Sequence, residues 1–227
     1  IRDIATSPDN NSIVFHAVGK LWKKSLPNGT PVRLTSDASQ FEYQPAYSSD
    51  GRKLLYTTWS DDNFGAIVEM DLASGQSRKL TSEPGYYYGP RYSNDGTRIL
   101  YSKQSGSSLT GGLWSGERGV FVMDAQGKNS FRVAKNGSDP QFSPDGKRVF
   151  FLTGGGLSKK LQSIGINGEE PRDIFTMKYP DFVSVSPDGK YVAFTELYQA
   201  YLAPIPQTGG VIELSKDIGT LPVTKLS

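Results

Sequence analysis

Pro140 to Phe151 reads PQFSPDGKRVFF, and the chain repeats this pattern. The other versions are IATSPDNNSIVF from Ile4, PAYSSDGRKLLY from Pro45, PRYSNDGTRILY from Pro90 and VSVSPDGKYVAF from Val183. Their anchoring serines, Ser7, Ser48, Ser93, Ser143 and Ser186, stand 41, 45, 50 and 43 residues apart. Each version places a tight turn between two strand-like apolar runs. A period in the forties built this way is the sequence sign of a four-stranded propeller blade. The expected fold is therefore all-β, a β-propeller of about five blades of four antiparallel strands.

The blades are expected over about 1–35, 41–81, 87–134, 139–175 and 181–215, forming one domain over 1–227. The first sets the grammar: Arg2 to Thr6, Ser12 to Ala17, Leu21 to Leu26 and Val32 to Thr35 as strands. Pro27-Asn28-Gly29-Thr30 reads as a hairpin turn of the Asn-Gly kind. The third blade carries an enlarged loop, 104–118, which explains its longer spacing. In the fifth, Val211 to Ser215 follows a turn at Gly209-Gly210 and reads as a fourth strand. Residues 216–227 end in Val223-Thr224-Lys225-Leu226-Ser227, which resembles another fourth strand. That segment is either the true fourth strand of blade five or the start of a further blade. No long stretch shows a 3.6-residue apolar period, so essentially no helix is expected.

Composition narrows the function classes. Lys and Arg total 25 against 23 Asp and Glu, with no basic stripe, so nucleic acid is not an expected partner. Cysteine is absent, which excludes disulfides and thiolate chemistry and fits both cytoplasm and periplasm. No apolar run is long enough to cross a bilayer as a helix, so no membrane insertion is expected. The chain opens on Ile1 within strand-like sequence, as expected of a mature form or a piece of a larger protein.

In Ser-x-Asp-Gly the glycine reaches positive φ, while the Ser and Asp side chains bond nearby backbone N–H groups. Five equivalent carboxylates serve a repeated fold and not one active site. In the first version Asn10 replaces glycine, and Asn also enters the left-handed region readily. The single histidine, His16, falls on a predicted strand, where a structural role is expected. There is no Gly-x-Ser-x-Gly elbow and no phosphate-binding glycine loop. No catalytic, cofactor-binding or metal-ligating residues are assigned.

Up-and-down strands put the Ser-x-Asp-Gly turns on one face and the second-to-third and fourth-to-first connections on the other. That second face collects Phe41, Tyr43, Trp59, Tyr86, Tyr87, Tyr88, Trp114 and Arg118. Aromatic side chains and arginine on exposed loops are the types that anchor interfaces. These eight are the candidate partner-binding residues, with packing between blades as the competing explanation.

The SPDGK-x-hydrophobic-x-F repeat, followed by strands such as Val120-Phe121-Val122-Met123-Asp124 and an Arg-x-Leu-Thr ending, resembles the TolB-like propeller repeat over essentially the whole chain. Leu21 to Asp37, Phe41 to Gly51 and Glu83 to Gly96 are more narrowly similar to the propeller of large bacterial amidohydrolase-related proteins. That narrower resemblance implies a fragment lacking some blades and the metal-dependent catalytic domain, whose His-x-His ligands have no counterpart here. Three functions follow as expectations: a non-catalytic scaffold binding a protein, a peptide or its own missing domain; a segment of an amidohydrolase-related hydrolase; or a TolB-type envelope protein. The third carries a periplasmic or otherwise exported location.

Overall fold

A computed structural model describes residues 1–104, 118–180, 182–206 and 209–226. Among them the architecture is all-β, with no helix and five blade sheets of propeller type. The chain divides into two compact units, Ile1–Lys135 and Asn136–Ser227.

The first unit holds three sheets, each a run of neighbouring antiparallel strands. Blade one is β1 (Arg2–Thr6), β2 (Ser12–Ala17), β3 (Lys20–Ser25) and β4 (Val32–Arg33). Blade two is β5 (Phe41–Tyr47), β6 (Lys53–Ser60), β7 (Phe64–Asp71) and β8 (Ser77–Lys79). Blade three is β9 (Tyr87–Tyr92), β10 (Arg98–Lys103), β11 (Gly119–Asp124) and β12 (Phe131–Ala134). The second unit holds blade four, β13 (Ser138–Phe142), β14 (Arg148–Gly155), β15 (Ser158–Gly165) and β16 (Arg172–Lys178). Its blade five is built on β17 (Val183–Val185), β18 (Tyr191–Glu196) and β19 (Gln199–Pro204).

Strand parity sorts side chains between neighbouring blades, because successive residues point to opposite faces. In β6, Leu54 and Tyr56 pack with Val14 and Leu21 of blade one. Leu55, between them, packs with Ile99 and Tyr101 of blade three. Both faces of the central strands are thus dry, which is why they read as continuous apolar runs and not as alternating ones. In the second unit Phe175 and Met177 pack with Val192 and Phe194. Replacing a fully buried residue such as Leu54 by Ala is expected to cost about 2–5 kcal/mol.

Buried carboxylates tie blades together. Glu42 of β5 accepts the Leu21 N–H at 3.0 Å and the Thr35 hydroxyl at 2.6 Å. Glu69 of β7 is 5% exposed and accepts Arg78 Nε at 2.8 Å, Lys53 Nζ at 3.2 Å and the Tyr92 hydroxyl of blade three. Burial pushes the Glu69 pKa upward, but these three donors outweigh it and leave it below the ordinary value.

The repeated turns form as their residues require. Ser48 Oγ donates to Asp50 Oδ1 at 2.7 Å, Asp50 accepts the Arg52 N–H at 3.1 Å, and Gly51 takes φ 71°. Asn10 stands in for glycine at φ 58°. The Ser48 hydroxyl, with the backbone and side chain of Arg52, holds the Asp50 carboxyl far below the usual carboxylate range. All five turn carboxylates accept from the serine hydroxyl and a backbone N–H of their own turn.

Two local expectations differ from the structure. Neither Asn28 nor Gly29 takes positive φ, so their turn is not of the Asn-Gly hairpin kind. It is closed instead by the Gly29 N–H on the Ser25 carbonyl at 2.9 Å. The second difference concerns Val211 to Ser215. β20 (Ile212–Leu214) joins blade four, pairing parallel to β16, while β21 (Thr224–Lys225) pairs antiparallel with β19 as the fourth strand of blade five. The two segments read VIELS and VTKLS, so either could fill a fourth-strand slot by pattern. The more apolar copy takes the drier position: Leu214 is buried in the cluster with Phe175 and Met177, while Thr224 and Lys225 are exposed.

Candidate binding site

In blades one to four the first strand carries an irregularity at one repeat position, four residues before the turn serine. Asp3, Gln44, Gly89 and Asp139 occupy it, all at positive φ, and the register with the second strand shifts there. β17 pairs with β18 without such a shift. A bulge of this sort turns its residue out of the ladder. In the first unit the freed side chains link successive blades: Asp3 Oδ2 accepts the Gln44 N–H at 3.4 Å, and Gln44 Oε1 accepts the Gly89 N–H at 3.0 Å. Gly89 has no side chain with which to continue the series.

Beside this chain of bonds lies a cavity of about 340 Å³, lined by Asp3, Gln44, Thr57, Thr58, Gly65 and five aromatic residues. Those five, Tyr43, Trp59, Tyr86, Tyr87 and Tyr88, are among the residues singled out from the sequence. Trp59 and Tyr86 stack with centroids 4.3 Å apart and planes 14° from parallel. The Trp59 indole donates to Asp61 Oδ1 at 3.1 Å, which fixes the ring at the rim. Phe64 leans on the same indole at 5.8 Å. Gly65 is required by a close approach, since a Cβ there would stand 2.2 Å from the Gly85 carbonyl oxygen.

The eight sequence-chosen residues do not all play one part. Tyr86 is exposed, and Tyr43, Trp59 and Tyr88 are half-buried around the cavity. Tyr87 sits inside the wall: it is 7% exposed, donates its hydroxyl to the Glu83 carbonyl at 2.8 Å, and packs on Tyr101 at 5.7 Å. Phe41 is exposed, lies over Gly19 of blade one and meets Tyr43 at 6.4 Å, outside the cavity lining. Arg118 is exposed and also outside the lining. Trp114 lies outside the described residues.

Burial raises the Tyr43 and Tyr88 pKa values, and for Tyr88 the neighbouring Tyr86 and Tyr43 add to the effect. These phenols stay neutral donors and acceptors. His16 packs on Tyr43 at 4.8 Å, and both its ring nitrogens are buried with no partner among the described residues. Burial pulls its pKa down, against the pull of Asp3.

Sequence reasoning missed Asp3 and Gln44. The signal was a column of the repeat holding Asp, Gln, Gly and Asp, three of which tolerate positive φ. It also missed the second unit. There the second-to-third turns expose Leu157 and the pair Leu197-Tyr198, and the link between blades exposes Tyr179 and Phe182. Leu197 and Tyr198 form a two-residue hairpin at φ 50° and 65° between paired Glu196 and Gln199. They are 60% and 96% exposed.

Residues 29–205 match the family model described as TolB beta propeller domain. No curated protein matches the chain. Among solved structures, TolB from Acinetobacter baumannii is 22% identical, with TM-score 0.69 over 89% of this chain and 50% of that one. A TolB-related protein from Agrobacterium tumefaciens is 17% identical, with TM-score 0.73 over 98% of this chain and 78% of that one. An oligogalacturonate lyase in complex with manganese is 15% identical, with TM-score 0.68 over 89% of this chain and 61% of that one. The chain thus spans only 50% and 61% of the Acinetobacter protein and the lyase. At these identities the likeness is one of fold.

Proposed function

Because this chain belongs to the TolB β-propeller domain family, we propose that it is a non-catalytic platform that binds a protein or peptide through the face opposite its Ser-x-Asp-Gly turns. The observation that carries this reading is the cavity walled by Tyr43, Trp59, Tyr86 and Tyr88, where large rings are held in place yet left open to a partner. Rigid aromatic side chains lose little entropy on binding and supply much contact area. The exposed Leu157, Tyr179, Phe182, Leu197 and Tyr198 extend the same preference to the second unit. The one histidine supports binding over catalysis, because its ring nitrogens are sealed behind Tyr43 and cannot reach a substrate. An exported, periplasmic setting accompanies the proposal, supported by family membership, and cell fractionation of the native gene product tests it.

Site-specific photo-crosslinking tests the platform. A photoreactive amino acid at position 59 or 86 is expected to capture a partner, whereas the same group at position 96, in a Ser-x-Asp-Gly turn of the same unit, is not. The triple variant Trp59→Ala, Tyr86→Ala, Tyr88→Ala should then lose that same partner while keeping its β circular dichroism. Cross-links concentrated at position 96, or an unchanged yield in the triple variant, would overturn the reading.

A further inference from the structure

Charge is distributed unevenly around the aromatic cavity. Among the described residues of its lining Asp3 is the one that is charged, and the others are neutral: four tyrosines, a tryptophan, two threonines, Gln44 and Gly65. A second carboxylate, Asp61, is held at the rim by the Trp59 indole. No lysine or arginine contributes to the lining among the described residues. Faces of tyrosine and tryptophan carry the negative side of the ring quadrupole, so such a wall attracts cations. Outside this lining, in a separate cavity, Lys103 Nζ stands 5.8 Å from the Tyr87 centroid while pairing with Glu83.

Building on the binding-face reading, we propose that the cavity bounded by Asp3, Tyr43, Trp59, Tyr86 and Tyr88 receives the cationic side chain of a lysine or arginine from the partner polypeptide. A volume of about 340 Å³ lies at the small end of ligand pockets and suits one long side chain better than a whole folded element. Aliphatic methylenes pack on the rings, and the charged end meets the Asp3 carboxylate and the phenol oxygens. The Tyr88 and Tyr43 hydroxyls, whose pKa values burial raises further above the ordinary phenol value, are neutral and can accept hydrogen bonds from an ammonium or guanidinium. Gln44, fixed by the Gly89 N–H, completes the polar part of the lining with Thr57 and Thr58. The partner segment therefore carries a basic residue at its point of deepest contact.

The test uses the full chain labelled with ¹⁵N. Three tryptophans give three indole N–H signals, and a Trp59→Phe spectrum identifies that of Trp59. Blocked tripeptides Gly-Lys-Gly, Gly-Arg-Gly and Gly-Nle-Gly are titrated, the last matching lysine in methylenes but lacking charge. Both cationic peptides should shift the Trp59 signal, with the norleucine peptide at least about tenfold weaker. Asp3→Asn keeps an acceptor for the Gln44 N–H and should weaken the cationic peptides about tenfold without touching the norleucine peptide. Equal affinity for norleucine, preferential binding of a neutral sugar, or indifference to Asp3→Asn would overturn the cation assignment. Those outcomes leave the binding face standing, because its own failure is read separately, as an unchanged cross-linking yield in the Trp59, Tyr86, Tyr88 triple variant.

Discussion

Replacing Leu197-Tyr198 by Asn-Gly is expected to make the protein more stable, although it deletes two large side chains. Both residues sit in the left-handed region, where a β-carbon meets the following carbonyl, at about 1 kcal/mol or more each. Asn and Gly are the residues that a two-residue turn with both φ positive selects. Little packing is lost, since Tyr198 is almost wholly exposed and Leu197 mostly so. Glycine gives back roughly 0.5–1 kcal/mol through the freedom it adds to the unfolded chain. The net expectation is a gain of about 1–2 kcal/mol, read as a higher urea midpoint at unchanged slope. The Ala-Ala variant removes the same side chains but keeps the backbone conflict, so it should gain nothing. A change within about 0.5 kcal/mol of zero, or equal behaviour of the two variants, would refute the strain argument. Should the Asn-Gly variant also bind the cross-linked partner more weakly, the turn is one where contact has been favoured over stability.

Two further expectations concern buried charge. In a double-mutant cycle of Glu69→Gln and Tyr92→Phe, the coupling should be about 1.5–3 kcal/mol, as for a hydrogen bond to a charged acceptor, measured by chemical denaturation. A cycle that closes without coupling would show that the two blades are not tied there. His16 supplies a pH signature of its own, since it is the only histidine. Its folded pKa lies below the ordinary 6.5, so the unfolded chain takes up the proton first. Stability should fall as pH drops through about 6.5 and stop falling from this source below the folded pKa. His16→Leu should flatten the melting temperature between about pH 7 and 5.5, and an equally steep profile in that variant would assign the effect elsewhere.

The turns were legible in the sequence because their chemistry is local: Ser, Asp and Gly within four residues carry both the bonds and the φ angle. The second strands of the first three blades were equally legible, since apolar runs follow each turn, whereas Phe41, Tyr43, Trp59, Tyr87 and Tyr88, expected on connecting loops, lie on β5, β6 and β9. What was not legible depends on partners remote in sequence. Gln44 takes positive φ at a blade-to-blade junction, which no local preference of glutamine announces. Glu42 and Glu69 look like solvent-facing members of their strands until Leu21, Thr35, Arg78 and Tyr92 are placed around them. Tyr87 and Tyr86 are adjacent and alike, yet strand alternation buries one and exposes the other. The VIELS and VTKLS segments compete for one role on pattern alone, and only the burial available at each edge separates them.

Pairing of β20 with β16 also has a temporal side. A nascent chain emerging from its N-terminus has β16 in hand some forty residues before Leu214, and all of blade five's first three strands come between. Through that interval the outer edge of blade four stands open, with the backbone of Phe175, Thr176 and Met177 awaiting partners. An open edge is where another chain can add a strand. The interval between emergence of Lys178 from the ribosome and emergence of Leu214 is thus a period when this protein benefits from dilution or a chaperone, and ribosome-bound chains stalled with β16 outside and β20 still enclosed should aggregate more readily than chains released after β20 has docked.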